Sequence, residues 1–306
     1  MTEFTNRVFG CAIVKAVNAN YNADFSGQPR TLPSGIVYAT DKAFKYTVKN
    51  YLKDVYPNET VFYFKNLNEN MNPISLDETY KKYFKKEADK DKKEVSKNLL
   101  SCIDVRLFGA TFAGKTNISV HGPVQVNHAV NIWAENNIYN EQITSPFSNK
   151  SNDPDAEKGM TTIGRQARLE EGHYLHHFSI NPQNLCDITS LAGSDCAKLS
   201  DDDITKLKEA MRRGATWYDS ASKAGCENEM LVWVQLRVDS KSVLPNFTDL
   251  IVLQDEKEDG KCIYDFSKLT NALNNIVDEI ESVDIFYNIQ TCKLKNLPES
   301  ANQNNL

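Results

Sequence analysis

VFGCAIVKAV, residues 8–17, is the stretch on which the fold class turns. It is apolar at both alternating sets of positions and rich in small and β-branched residues, so it reads as a strand covered on two faces. Outward from it, residues 18–39 (NANYNADFSGQPRTLPSGIVYA) form a loop rich in Asn, Gly and Pro. Thr40 is placed to cap a helix over residues 41–55. On that helix Phe44, Val48, Tyr51, Leu52 and Val55 share one side, while Lys42, Lys45, Lys49 and Lys53 fall on the other.

Further along, residues 57–100 read as an insertion. Its second half, KKYFKKEADKDKKEVSK (81–97), carries eight lysines against four acids and reads as a solvated helix or loop. Strands are expected at 102–108 (CIDVRLF) and 118–127 (ISVHGPVQVN), then a polar excursion over 140–170 with Pro146, Pro154, Gly159 and Gly164. A strand follows at 172–181 (GHYLHHFSIN). Ser200 and Asp203 start a helix over 201–213 with a capping box, and Gly214 is expected to end it. Residues 229–238 read as a strand, 266–281 as a helix burying Leu269, Leu273, Ile276, Val277 and Ile280, and 283–289 as a last strand. The tail 298–306 is expected to be disordered. Strand, helix, strand, strand, then helices alternating with strands is the order of an α+β sandwich of ferredoxin or RNA-recognition type, decorated by insertions.

The chain has 306 residues, 41% of them apolar, enough for a sizeable core. A formal net charge of −6 argues mildly against a nucleic-acid binder. The charge is uneven, however. Residues 1–53 hold seven basic residues (Arg7, Lys15, Arg30, Lys42, Lys45, Lys49, Lys53) against three acids (Glu3, Asp24, Asp41), whereas 254–306 hold five lysines against ten acids. That asymmetry fits one anion-binding face on an acidic body. Seven widely spaced cysteines without a C-x-x-C pair imply reduced thiols, and no signal peptide or membrane-length apolar run is evident, so a soluble cytoplasmic protein is expected.

Several motifs promise chemistry. GATFAGKT, residues 109–116, satisfies the phosphate-loop pattern G-x-x-x-x-G-K-[ST]. Such a loop needs a helix opening at Lys115 and Thr116, and the following NISVHGPVQVN predicts strand and turn instead, against a nucleotide triphosphatase. His173, His176 and His177 form H-x-x-H-H; on a strand His173 and His177 share a face and His176 points away. Two histidines seldom suffice for zinc, and no cysteine lies close in sequence, so ordinary strand histidines are expected and no metal or cofactor. Asp24 and Asp41 flank the Asn-rich loop; a carboxylate beside RNA could hold Mg²⁺ and assist phosphodiester cleavage, but loop solvation for Asp24 and a helix N-terminal role for Asp41 account for both. No serine elbow is present, and RLFGATFA (106–113) fails as an aromatic RNA-stacking strand. The lysine row beside an acid-poor loop points to phosphate contact without base reading.

Three segments in order carry a resemblance: RVFGCAIVKAVNANYNADFSGQPR (7–30) running into YATDKAFKYTVKNYL (38–52); DVRLFGATFA (104–113) with SVHGPVQVNHAVNIW (119–133); and TTIGRQARLEEGHYLHHFSINP (161–182). Together they resemble the CRISPR-associated RNA-binding backbone proteins of type I Cascade complexes, nearest subtype I-B. The resemblance implies a non-catalytic subunit for antiviral defence. Its partners would be CRISPR guide RNA, further copies of itself in a helical filament, other Cascade subunits and, through the guide, a target DNA strand. It implies a palm of RNA-recognition-like fold (1–56, 101–139 and 172–297) with a finger insertion (57–100) and a thumb hairpin (140–171). Carried over by segment, Asn18, Asn20, Arg30, Lys42, Lys45 and Lys49 become phosphate or sugar contacts. Arg106, Gln125 and Asn127 become palm-strand residues facing the RNA groove, Arg165 and Arg168 contacts at the return of the thumb, and Phe147 and Met160 its apolar wedge. Gln166 and Ala167 stand where relatives carry a more basic run. Backbone proteins of type III complexes cut target RNA with an aspartate in a comparable loop, which makes Asp24 the candidate for a ribonuclease alternative.

Overall fold

The computed structural model describes residues 2–88, 91–144, 147 and 163–306. The opening strand, β1 (Val8–Ala19), is followed by the short β2 (Tyr38–Ala39) and helix α1 (Asp41–Val55), capped by the Thr40 side chain accepting from the Ala43 amide. The next segment folds into three helices, α2 (Leu76–Phe84), α3 (Lys92–Leu100) and α4 (Ile103–Phe108), and the hairpin β3 (Gly109–Ala113) and β4 (Asn117–His121). Then come β5 (Val124–Val126), β6 (Ala129–Asn131), β7 (Ile138–Thr144) and the long β8 (Ile163–Ile180). Helices α5 (Cys186–Ala192) and α6 (Asp201–Trp217) lead to β9 (Cys226–Leu236). The C-terminal part holds β10 (Val252–Leu253), β11 (Cys262–Asp265), α7 (Ser267–Asn274), β12 (Ile280–Tyr287), β13 (Cys292–Lys295) and β14 (Ala301–Asn305).

The main sheet runs β14-β12-β9-β1-β8-β6-β2, with β1 near its centre. The outer edge of β8 is shared by three strands in turn: β5 opposite Phe178 to Ile180, β6 opposite Tyr174 and Leu175, and β7 opposite Ile163 to Leu169. Because β1 stops at Ala19, opposite Leu169, the rest of β8 and β7 continue past it as a two-stranded ribbon. A second sheet, β10-β11-β13, stands apart in hydrogen bonding.

Both faces of β1 are buried, as its unbroken apolar run requires. Val8, Ala12, Val14 and Ala16 join the core beneath α1 and α6, with Phe44, Val48, Leu52, Leu207 and Met211. Phe9, Cys11 and Ile13 join a second core with the β10-β11-β13 sheet and α7, including Phe247, Tyr264 and Leu269. Gly10 lets Phe178 lie across β1: a Cβ there would come within 2.5 Å of that ring.

Four expectations are corrected. Residues 103–108 are a helix, not a strand. Ile103, Val105 and Leu107 alternate with Asp104 and Arg106, but all five are buried, so alternation carries no information there. The helix from Asp201 passes Gly214 and ends at Trp217; Gly214 is instead the contact point with α1, where a Cβ would stand 2.8 Å from the Thr47 carbonyl oxygen. The helix expected over 266–281 ends at Asn274, and Ile280, whose spacing fitted a helix, opens β12. The tail is ordered over Ala301–Asn305 as an edge strand parallel to β12. Main-chain pairing recruits it, which the polar sequence ANQNN does not announce.

Candidate nucleic-acid interface

The loop after β1 is pinned on three sides. Asn18 takes a left-handed backbone (φ 48°), turning the chain out of the sheet. Its side-chain oxygen accepts from the Tyr139 hydroxyl of β7 (3.1 Å), and its carbonyl from Arg168 of β8 (2.7 Å). Asn20 is buried and donates to the carbonyls of Gly27 (3.1 Å) and Ala167 (3.4 Å). Asn22 accepts from the Thr40 amide (2.9 Å) and hydroxyl (3.0 Å), tying the loop to the N-terminus of α1. Gln28 donates to Asn140 on β7 (2.7 Å). At the tip, one carboxylate oxygen of Asp24 accepts from the Ser26 amide (2.8 Å), the Ser26 hydroxyl (2.8 Å) and the Gln28 amide (3.0 Å). Those bonds hold its pKa below the ordinary carboxylate value, the Ser26 hydroxyl contributing most. The turn presents Phe25 fully to solvent.

Loop, ribbon and the start of α1 therefore form one constructed surface. On it the Lys42 side chain is 82% exposed and Arg165 is exposed, while Gln125 is exposed on β5, opposite Ser179 of β8. Arg30 is half-buried, with its Nε lacking a hydrogen-bond partner, as does the buried side-chain oxygen of Asn127. Gln125 donates to the Gly122 carbonyl (2.7 Å). His128 stacks on Tyr38 and lies 3.4 Å from Asp41, a contact that the sequence did not signal. Asp41 also pairs with Lys42 (3.3 Å) and Lys45 (3.0 Å), so its helix N-terminal role holds.

Three of the expected contacts sit elsewhere in character. Lys45 and Lys49 are not on an open face: their side chains are only 17% and 15% exposed, their ammonium groups lie over the Phe108 ring, and Lys49 pairs with buried Asp104 (3.3 Å). The segment 57–108 folds back over that side of α1. Arg106 is on α4 rather than on a sheet strand, and its guanidinium is spent inside the chain. It grips Asp203 on α6 through Nε (3.0 Å) and Nη2 (2.7 Å), and donates to the carbonyls of Leu100 and Ser101. Of the two wedge residues, Phe147 is exposed and Met160 lies outside the described residues.

Residues 109–116 are a β-hairpin, so no helix opens at Lys115 and the phosphate-loop spacing is coincidental. Lys115 is paired with Glu87. The three histidines alternate as β8 dictates. His176 lies beneath the loop, stacked on Phe44, donating from Nδ1 to the Asn127 carbonyl (3.1 Å) and accepting at Nε2 from Tyr21 (3.2 Å). Burial pushes its pKa down to about 4. His173 and His177 face the second core. His173 sits between Glu229 (2.5 Å) and Glu171 (3.2 Å). Burial opposes its charge, but Glu229, Cys262 and Glu171 together outweigh it and push the pKa up to about 11.

The sequence pattern of the family described as CRISPR-associated protein Cas7 matches residues 6–272. The chain belongs to the Cas7 family. A solved chain described as a CRISPR RNA-guided surveillance complex, pre-nicking, is 13% identical, with a TM-score of 0.59 over 98% of this chain and 96% of its own. Another, described as a CRISPR RNA-guided surveillance complex, is also 13% identical, with a TM-score of 0.49 over 94% and 95%. The first likeness establishes a shared fold of mixed α/β type. No curated protein matches. Among the described residues, no helix is long and apolar enough to cross a membrane.

Proposed function

We propose that this Cas7-family chain is a non-catalytic backbone subunit that polymerises along a CRISPR guide RNA in a type I interference complex, nearest subtype I-B. Family membership over residues 6–272 carries the reading. The strand order β9-β1-β8-β6, with α1 and α6 packed together over one face, supports an RNA-recognition-like palm. The segment 57–108 then serves as the fingers and the β7–β8 ribbon as the root of the thumb, with Phe147 as a wedge residue. Guide spacers vary in sequence, so the subunit must hold phosphate and sugar and leave base edges free to pair with a target DNA strand. Lys42, Arg30, Arg165 and Arg168 are the phosphate contacts we favour, with Asn18 beside them and Gln125 as a further contact on β5. Lys45, Lys49, Asn20 and Arg106 act from beneath by holding the surface in shape. A head-to-tail contact that does not close generates the filament.

The test is to purify the full chain from cells carrying a CRISPR array and to sequence the nucleic acid that comes with it. Guide RNA of uniform length is expected; absence of RNA, or one short motif bound regardless of spacer, overturns the reading. The ribonuclease alternative is disfavoured by the commitment of Asp24 to its own turn. Periodic Mg²⁺-dependent cutting of guide-paired RNA, abolished in Asp24→Ala, would restore it.

A further inference from the structure

Outside the proposed RNA surface, one buried group of side chains has metal-ligand chemistry. Glu171 and His173 on β8 and Cys262 on β11 place a carboxylate oxygen, an imidazole nitrogen and a sulfur within 4.8 Å of one another. The pairwise geometry is close to what a cation needs: Nε2 of His173 lies 3.2 Å from Glu171 Oε1 and 4.0 Å from Cys262 Sγ. A tetrahedral zinc with bonds of about 2.0–2.3 Å separates its ligand atoms by roughly 3.4–3.8 Å. Movements of up to about 1 Å, drawing Glu171 and Cys262 together, would close the site.

The surroundings match as well. The other nitrogen, Nδ1, points at Glu229 (2.5 Å), which also accepts from the Tyr264 hydroxyl (2.7 Å) and the Cys292 thiol (3.5 Å). A buried carboxylate on the far nitrogen is the arrangement that orients metal-bound histidines and raises their basicity. His173 and Cys262 are buried, and the partly exposed Glu171 provides the way in. Coordination needs a thiolate and a neutral imidazole, so the ion takes the place of any proton on Cys262 Sγ and His173 Nε2.

We propose that Glu171, His173 Nε2 and Cys262 Sγ bind a divalent transition cation of the zinc class, with water as a fourth ligand on the Glu171 side. A thiolate with an imidazole selects zinc over Mg²⁺ or Ca²⁺. The ion would clip β8 of the main sheet to the β10-β11-β13 sheet, adding to the side-chain packing, the His173–Glu229–Tyr264 bonds and the Cys292–Glu229 bond that join them among the described residues. Lys257, which bonds both oxygens of Glu171 (2.8 and 2.9 Å), guards the entrance and is displaced on binding.

The full chain, in a Cys186→Ser background that removes the exposed cysteine, is stripped with chelator and titrated with Co²⁺ and then Zn²⁺. One equivalent of Co²⁺ giving a thiolate-to-metal charge-transfer band, displaced by Zn²⁺, is expected. Cys262→Ser should abolish the band and Glu171→Gln weaken binding about tenfold or more. Cys292→Ser should retain the band, and Lys257→Ala should bind more tightly. Absence of a thiolate band in the parent protein, or a band that survives Cys262→Ser, overturns the proposal. The parent titration needs no ligand substitution, so a variant that fails to fold does not rescue the idea.

Discussion

Two regions rich in basic residues carried the same expectation in the sequence, and the fold separates them. At the base of the segment 57–108, Arg106 and Lys49 are enclosed by Asp203, Glu59 and Asp104. Around the loop after β1, Lys42 and Arg165 remain open to solvent. A helical wheel tells which side of a helix is apolar, not what will cover its polar side. Here the cover is α4, whose Asp104 also accepts from the amides of Phe62 (2.7 Å) and Tyr63 (2.9 Å), so one carboxylate fixes both the segment and the lysine beneath it. Charges in the first region hold the architecture; those in the second stay exposed to an approaching anion, Lys42 while paired with Asp41.

The largest expected effect breaks the enclosed region. Arg106→Ala leaves Asp203 buried without its partner and should cost about 3–5 kcal/mol in chemical denaturation. The RNA affinity of the folded fraction should stay close to the parent value. A loss below about 1 kcal/mol would mean that the guanidinium is not what joins α4 to α6.

The second effect tests the support of the open region. His176 is neutral and buried beneath the loop, with Tyr21, Asp41 and His128 as its titratable neighbours. Its folded pKa of about 4 lies below the ordinary 6.5, so the unfolded chain binds the proton more readily. Its contribution to stability is therefore complete above pH 6.5 and is lost as pH falls toward 4, by about 3 kcal/mol. Subtracting the urea-unfolding profile of His176→Leu from that of the parent isolates it from the carboxylates. Identical slopes between pH 6.5 and 4 would sink the assignment.

A smaller effect probes the joint between the two long helices. Gly214→Ala drives a methyl against the Thr47 backbone of α1 and should cost about 1–3 kcal/mol, measured as a shift in urea midpoint. No change would mean that α1 and α6 can separate freely.

How much of this was legible follows from the range of the cause. The two-faced burial of β1, the Thr40 cap, the Ser200–Asp203 capping box and the alternation of the β8 histidines depend on neighbours a few residues away, and the sequence announces each. The burial of Lys45 and Lys49, the helix at Ile103–Phe108 and the edge strand at Ala301–Asn305 depend on partners far along the chain. The same is true of the Cys262–His173 approach, since no cysteine stands near the histidines in sequence. Of the expected contact residues, Lys42, Arg165 and Gln125 are open, and the four enclosed ones, Asn20, Lys45, Lys49 and Arg106, could not be told apart from them by spacing alone.

The smallest change in stability should carry the clearest functional signal. Lys42→Ala and Arg165→Ala remove exposed side chains and should shift folding by no more than about 0.5 kcal/mol. If each neutralises one phosphate of a single-stranded guide, the slope of log K against log salt should fall by about 0.7 per substitution, with similar losses for unrelated spacer sequences. Lys49→Ala sharpens the contrast: its ammonium is already matched by Asp104, so removing it should lower stability more than either exposed change and move the salt slope less. Equal slope changes for Lys42 and Lys49 would erase the distinction between the two regions, because the RNA would then be drawing on charge that the fold encloses.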